Sequence, residues 1–355
     1  MLRRIEKLRK WLDENDCDAF FLNTVENYRY FSGFTGSNCY LFITKNEGIL
    51  VTDQRYAQQI REETEGYKVY IHEINPFTTL EKVMKSMEIN SIAYDGKKTP
   101  VSLLRALRNM DEKVDWVYTE DVSLAIRQYK EPSEEAAIQR AAEIGDLAFK
   151  ELCQIIKPGM TEKQIAVGLE YLLAKHGSEG PTFGTIVAAG ERSALPHASP
   201  SFRMVNENDM LLIDFGACYE GYMSDMTRTL WIGEPIERMQ EVYMIVLEAL
   251  ERAVISVRPG VTCQELDDVA RKVFMEANLE EYSLRGLGHG VGLEIHEWPR
   301  VVMHHDAPIE KGHIFTIEPG LYIPGVGGVR IEELVSVTES GCKLLTGTPR
   351  TIRLT

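Results

Sequence analysis

Four acidic residues in the second half of the chain fall into two spaced pairs. Asp214 and Asp225 lie eleven positions apart in LLIDFGACYEGYMSDMTRTL, and their midpoint falls at Tyr219-Glu220-Gly221. Glu318 and Glu332 lie fourteen apart in FTIEPGLYIPGVGGVRIEEL, with Gly325 of PGVGG midway. Both stretches predict a β-hairpin of half-apolar strands around a turn. Folded at those midpoints, the hairpins set Asp214 opposite Asp225 and Glu318 opposite Glu332, with Cβ atoms about 4.5–5.5 Å apart. The flanking residues are apolar, so both pairs are expected to face a largely dry interior. Opposed carboxylates in such a place must take up protons or hold a cation. Four of them converging suit a pair of divalent ions bridged by carboxylate, about 3.5–4 Å apart. Any one of these acids alone could simply cap or solvate a turn; the two matched pairs favour metal.

A dinuclear site of this kind also wants neutral imidazole. The chain has eight histidines, and GLGHGVGLEIHEWP holds His289 and His296. His289 lies between Gly288 and Gly290, where the missing side chains let the backbone approach a metal. It is the candidate ligand, and His296 is a candidate donor toward substrate. His304 and His305 in MHHDAP read as a solvated loop. His197, in SALPHASPS, is unremarkable by itself. Oxygen-rich ligation with one imidazole suits manganese, with cobalt, zinc or iron as alternatives.

The elements that must position these groups follow from pattern. The first part alternates helix and strand. MLRRIEKLRKWLDEN reads as an amphipathic helix with Leu2, Ile5, Leu8 and Leu12 on one side. Ala19–Leu22 is a short apolar run, and 40–44 and 48–52 flank a hairpin turn at Lys45-Asn46-Glu47. Residues 77–87 read as a helix and 91–94 as a strand. The character changes near Arg127, where QYKEPSEEAA offers Ser133 as an N-cap for a long helix to about Ile156. The boundary is placed at 125–132, giving parts 1–127 and 128–355. In the second part KPGMT at 157–161 recurs as RPGVT at 258–262. Each copy lies between long helices and precedes strands that bear the acidic residues. An internal duplication implies two halves facing each other about a pseudo-twofold axis, with a site between them.

Composition narrows the partners. A net charge of −15 disfavours nucleic acid and anionic membrane, both of which need a basic face. No apolar run approaches the roughly 18 residues of a membrane span. Six scattered cysteines without a CxxC pair read as reduced thiols, which points to the cytoplasm.

The order Asp214, Asp225, His289, Glu318, Glu332 resembles the five-ligand set of the pita-bread metallopeptidases, which include methionine aminopeptidase, aminopeptidase P and prolidase. The motifs DFGACYEGYMSDMTRT, GHGVGLEIHE, TIEPGLYIPG and GVRIEE carry the resemblance, which covers essentially the whole chain. NYRYFSGFTGS and LVTDQRY are similar to the creatinase-type domain that precedes the catalytic domain in aminopeptidase P and prolidase. The resemblance implies an α+β protein: an N-terminal creatinase-type α/β domain and a duplicated pita-bread domain. It implies that Asp214 binds one metal, that Asp225 and Glu332 bridge, and that His289 and Glu318 bind the second. It further implies that Glu318 is the general acid/base and that His197 and His296 orient the scissile carbonyl. Arg330 resembles the arginine of the proline-specific branch. That branch often has a histidine where this chain has Arg285. The implied activity is hydrolysis of an N-terminal Xaa-Pro bond, as an aminopeptidase first and a dipeptidase as the alternative, in a homodimer. The non-enzymatic alternative is an interaction module of the same fold.

Overall fold

The runs AFFL, YLFIT and GILVTD are apolar on both sides of the pleat, which suits strands covered on both faces. In the computed structural model, which describes residues 2–354, they form the middle of a six-stranded sheet. Its strands are β1 (Ala19–Leu22), β2 (Tyr40–Thr44), β3 (Gly48–Asp53), β4 (Tyr67–His72), β5 (Ser91–Asp95) and β6 (Asp115–Thr119), in the order β4-β3-β2-β1-β5-β6. The hairpin at 45–47 is as expected, with Thr44 N donating to Glu47 O at 2.8 Å. The accompanying helices are α1 (Leu2–Glu14), α2 (Val25–Ser32), α3 (Gln59–Glu63), α4 (Pro76–Met87), α5 (Val101–Arg108) and α6 (Val122–Arg127). On α1, Leu8 and Leu12 are fully buried and Ile5 is partly so; the side chain of Leu2 lies outside the described residues. These elements make one compact unit, Met1–Arg127; the rest, Gln128–Thr355, is a second.

The second unit is built twice. Helices α7 (Pro132–Leu152) and α8 (Glu162–Lys175) precede β7 (Ile186–Ala189), β8 (Met210–Phe215), β9 (Cys218–Tyr219), β10 (Tyr222–Met223) and β11 (Met226–Ile232). Helices α9 (Glu237–Ser256) and α10 (Cys263–Glu276) precede β12 (Gly288–Gly290), β13 (Glu297–Val301), β14 (Ile314–Ile317), β15 (Gly320–Ile323), β16 (Gly327–Arg330) and β17 (Glu333–Val337), followed by β18 (Cys342–Leu344) and β19 (Arg353–Leu354). Each half contains an antiparallel three-strand core, β7-β8-β11 and β12-β14-β17.

The match extends to single hydrogen bonds. Thr161 with Gln164 and Thr262 with Glu265 form reciprocal capping boxes at the starts of α8 and α10. Gly159 N donates to Val205 O at 2.8 Å, as Gly260 N does to Ile309 O at 2.8 Å. Lys163 N reaches Ser201 O at 3.0 Å, as Gln264 N reaches His305 O at 3.0 Å. Helix α7 departs from expectation at both ends. Glu131, not Ser133, is the N-cap, in a capping box with Glu134, because Pro132 takes the first helical position where no N–H is needed. The helix stops at Leu152 rather than Ile156.

Two ladders fix where the acidic pairs fall. In the second hairpin, Ile317 pairs with Glu333 in β14/β17 and Gly320 with Arg330 in β15/β16. One register runs through both ladders, so Glu318 and Glu332 occupy opposed positions in the short gap between them. In the first hairpin, Phe215 pairs with Met226 and Asp214 with Thr227. Asp214 therefore faces Thr227 and meets Asp225 diagonally, which corrects the expected direct opposition. The two-residue loop Glu220-Gly221 has positive φ at both positions, 48° and 73°. That is the geometry a tight hairpin prefers, and it places the fold between those residues.

Candidate metal centre

Strand β8 and the entry to β11 bring Asp214 and Asp225 beside Glu332, which is tied to β11 by a bond from Glu332 N to Thr227 O at 3.1 Å. One ligand atom from each of Asp214, Asp225 and Glu332 can be chosen so that all lie within 4.8 Å of one another. His289, on β12, puts Nε2 3.2 Å from Glu318 Oε1 and 3.6 Å from Asp225 Oδ2. The structure thus gathers Asp214, Asp225, His289, Glu318 and Glu332 into one cluster. Asp225 and Glu332 are 5% and 1% exposed. Glu318 keeps 26% of its side chain open to the adjoining cavity.

The cluster is short of positive charge. Asp214 Oδ1, Asp225 Oδ1 and Glu332 Oε1 are buried and accept no hydrogen bond. Burial, then the negative charge of their neighbours, pushes Asp225 and Glu332 well above the carboxylate range. Asp214 is raised by burial too, against the pull of Arg330. At Glu318 burial also raises the pKa, but the hydrogen bond and charge of His289 outweigh it and hold the carboxylate low. Bare, inward-facing oxygens from three carboxylates beside an imidazole fit divalent cations by donor type and charge. The same fit is poor for a single proton, which could satisfy one oxygen only.

A ring of supporting hydrogen bonds holds the carboxylates. Thr227 Oγ1 donates to Glu332 Oε2 at 2.7 Å and accepts from Arg330 Nε at 3.0 Å. Arg330 Nη2 reaches Asp214 Oδ2 at 2.6 Å, while Nη1 donates to the Tyr322 hydroxyl at 2.7 Å and to Pro196 O at 3.2 Å. Thr316 Oγ1 accepts from His289 N at 3.1 Å and donates to Glu318 Oε1 at 3.0 Å. Arg330 is therefore part of the support for Asp214. Sequence reasoning missed Thr227, Thr316 and Tyr322. The available signal was period two: Thr227 follows Asp225 by two positions and Thr316 precedes Glu318 by two, on the same faces.

A cavity of about 370 Å³ opens onto the cluster and is lined also by His197, His296, Phe183, Ile295, Arg285 and Arg300. The rings of His289 and His296 meet edge to face, 4.4 Å between centroids. Desolvation, with the neighbouring His289 and Arg300 adding to it, depresses His296 to about 4, so its ring is neutral at physiological pH. His197 is exposed on its loop and lines the same cavity without joining the cluster. His304 is exposed as expected. His305 is partly exposed, with its Nδ1 2.6 Å from Arg300 O and its ring against Trp298.

A duplicated α+β domain that closes on a buried carboxylate–imidazole cluster, following an α/β domain in the sequence, defines a two-domain metallopeptidase of the pita-bread class. The chain belongs to metallopeptidase family M24, whose pattern matches residues 136–339, and the creatinase/prolidase N-terminal domain matches residues 4–129. It is 39% identical to the Xaa-Pro dipeptidase of Pyrococcus furiosus over 99% of both chains. The X-Pro aminopeptidase structure from Thermotoga maritima is 41% identical, with a TM-score of 0.90 over 95% of this chain and 98% of that one. The Xaa-Pro dipeptidase structure from Bacillus anthracis is 36% identical, with a TM-score of 0.96 over 99% of each. Membership implies divalent metal, which the cluster's donors suit. Among the described residues no helix is long and apolar enough to cross a membrane.

Proposed function

We propose that the protein is an Xaa-Pro dipeptidase, releasing residue one and free proline. The observation that carries this reading is the cluster of bare carboxylate oxygens opening onto a cavity that also presents Arg285 and Arg300. A dipeptide carries a free carboxylate one residue from its scissile bond, and guanidinium groups are suited to hold it. Sequence reasoning leaned toward an aminopeptidase; the names of the relatives favour the dipeptidase alternative, with the Thermotoga protein on the other side.

Asp214, Asp225 and Glu332 would hold one ion, and Asp225, His289, Glu318 and Glu332 the second, manganese being our first choice. When bound, such ions lower the pKa of water toward neutrality and polarise the carbonyl. The chain's own groups do the rest. His296 and His197 face the carbonyl of residue one and donate to the oxygen as negative charge develops on it. Glu318 takes the proton of the attacking water and delivers it to the proline nitrogen as the C–N bond breaks. That nitrogen has no hydrogen of its own in the peptide and must be protonated to leave. A homodimer in the cytoplasm completes the proposal, consistent with six free thiols.

Hydrolysis of Ala-Pro beside Ala-Pro-Ala, each with manganese and with a chelator, tests it. The expected result is metal-dependent cleavage of Ala-Pro and little of the tripeptide. Preferential cleavage of Ala-Pro-Ala would favour the aminopeptidase, and inertness toward both, in metal-loaded protein, would refute the reading.

A further inference from the structure

The loop that carries His296 is closed by a pair of charges outside the metal cluster. Lys130 Nζ lies 3.0 Å from Glu297 Oε2, and each side chain is 1% exposed. The other oxygen of Glu297 accepts from Glu294 N at 3.1 Å, and Gly292 N donates to Glu294 O at 3.0 Å. Glu297 thus fastens the turn that ends on its own neighbour, His296. Gly292 makes the fit possible, since a Cβ there would stand 2.5 Å from a Glu297 carboxylate oxygen. Glu297 also pairs with Gly290 at the point where the β12/β13 register shifts, beside His289. Lys130 is itself held: its backbone N donates to Gly312 O at 2.8 Å, and the ring of Tyr129 packs on His313 at 4.9 Å.

A buried ion pair is a poor source of stability, because desolvation offsets most of the attraction. A lysine–glutamate pair at this place does something an apolar pair could not. It supplies a charged acceptor for Glu294 N and a fixed anchor for the turn between the two histidines. We propose that Lys130 and Glu297 are positioning residues that hold the His296 ring against His289 at the mouth of the cluster. The proposal rests on the substrate-facing role of His296 given above.

The test is a cycle. Lys130→Met/Glu297→Gln removes the pair without leaving a lone buried charge, and it is measured with and without His296→Ala. In the wild-type background the pair variant is expected to lose at least about tenfold in kcat on Ala-Pro, with bound metal unchanged. In the His296→Ala background it loses less than about twofold, because the pair acts through that ring. Losses that multiply across the two backgrounds would make the pair merely structural and overturn the proposal. If that double variant does not fold, Lys130→Gln/Glu297→Gln, which leaves no buried charge and keeps a polar side chain at both positions, runs the same cycle. A readout independent of turnover is the histidine Cε1–H spectrum of zinc-loaded protein. The His296 line is expected to be single in the wild type and to broaden or split in the pair variant; an unaltered line would overturn the proposal even if the peptidase reading stands. Full activity of His296→Ala would remove the role assigned to His296 itself, and a spectral change at that ring would then stand as evidence for positioning alone.

Discussion

Thr227→Val separates metal support from ordinary stability. The side chain is fully buried and serves two charged partners at once, donating to Glu332 and accepting from Arg330. Valine keeps the shape and removes both bonds. The bond from the Arg330 guanidinium is worth about 1.5–3 kcal/mol, and the one to Glu332, whose carboxyl burial drives toward its neutral form without metal, about 0.5–1.5 kcal/mol, so the loss approaches about 2–4.5 kcal/mol; relaxation of Arg330 toward its other acceptors brings the expectation to about 3 kcal/mol. The larger consequence is at Glu332, whose orientation is set by that hydroxyl. Loss of such an outer partner weakens metal binding by about 10–100-fold. Thr229→Val is the control. Thr229 is equally buried, but its hydroxyl bonds only the backbone of Arg330, at 2.9 and 3.2 Å. Two neutral bonds are worth about 1–3 kcal/mol together, with manganese affinity held to within about twofold. Urea unfolding of the metal-free proteins and calorimetric titration with manganese read the two quantities apart. Thr227→Ser should recover most of the affinity. Equal weakening of metal binding by both valine variants, or none by Thr227→Val, would refute the assignment of Thr227 as the bridge that orients Glu332.

Arg330→Lys should lower kcat/KM by about 10–100-fold, since an ammonium cannot reach Asp214, Thr227, Tyr322 and Pro196 O together; steady-state kinetics check it, and an unchanged value would place Asp214 beyond the need of that support. Arg300→Ala should raise KM for Ala-Pro by about tenfold or more and leave kcat within about threefold, if Arg300 helps hold the substrate carboxylate; a change confined to kcat would argue against it. His313 is 2% exposed, and burial, aided by Lys130 and opposed by Glu310, depresses it to about 4. The unfolded chain therefore binds a proton that the folded one refuses between pH 6.5 and 4, so stability present above that window is lost as pH falls through it. Between pH 7.5 and 5 the loss amounts to about 2 kcal/mol, measured by urea unfolding, and His313→Gln should remove that share while leaving the contribution of His296.

The chemistry was legible because it is carried by residue type and spacing, and what supports it was not, because that depends on which strands end up adjacent. Thr227 matters through Glu332 and Arg330, over a hundred positions away, and only the packing of β11 against the 330–332 segment brings them together. Lys130 and Glu297 are still farther apart in sequence. The difference between the two hairpins shows where local reasoning stops. Counting to a midpoint placed Glu318 opposite Glu332 correctly, because the turn is centred on Gly325 and a single register runs through both ladders. The same count failed for Asp214 by one pair, since a loop with two left-handed residues must be centred between Glu220 and Gly221. The shifted register has a use. Asp225 then falls in line with Gly216, where a Cβ would stand 2.0 Å from Ser224 O, so no side chain can occupy that place on the facing strand. With Gly216 bare, the neighbour of Asp225 on the same face is Asp214, two residues along. A diagonal pair leaves more room between its carboxylates than a direct one. The first hairpin can thus contribute two ligands with space between them, while the directly opposed Glu318 and Glu332 approach from the other half. Lengthening the first turn by one residue, which slips the register by one, would put Asp214 and Asp225 on opposite faces and dismantle the cluster.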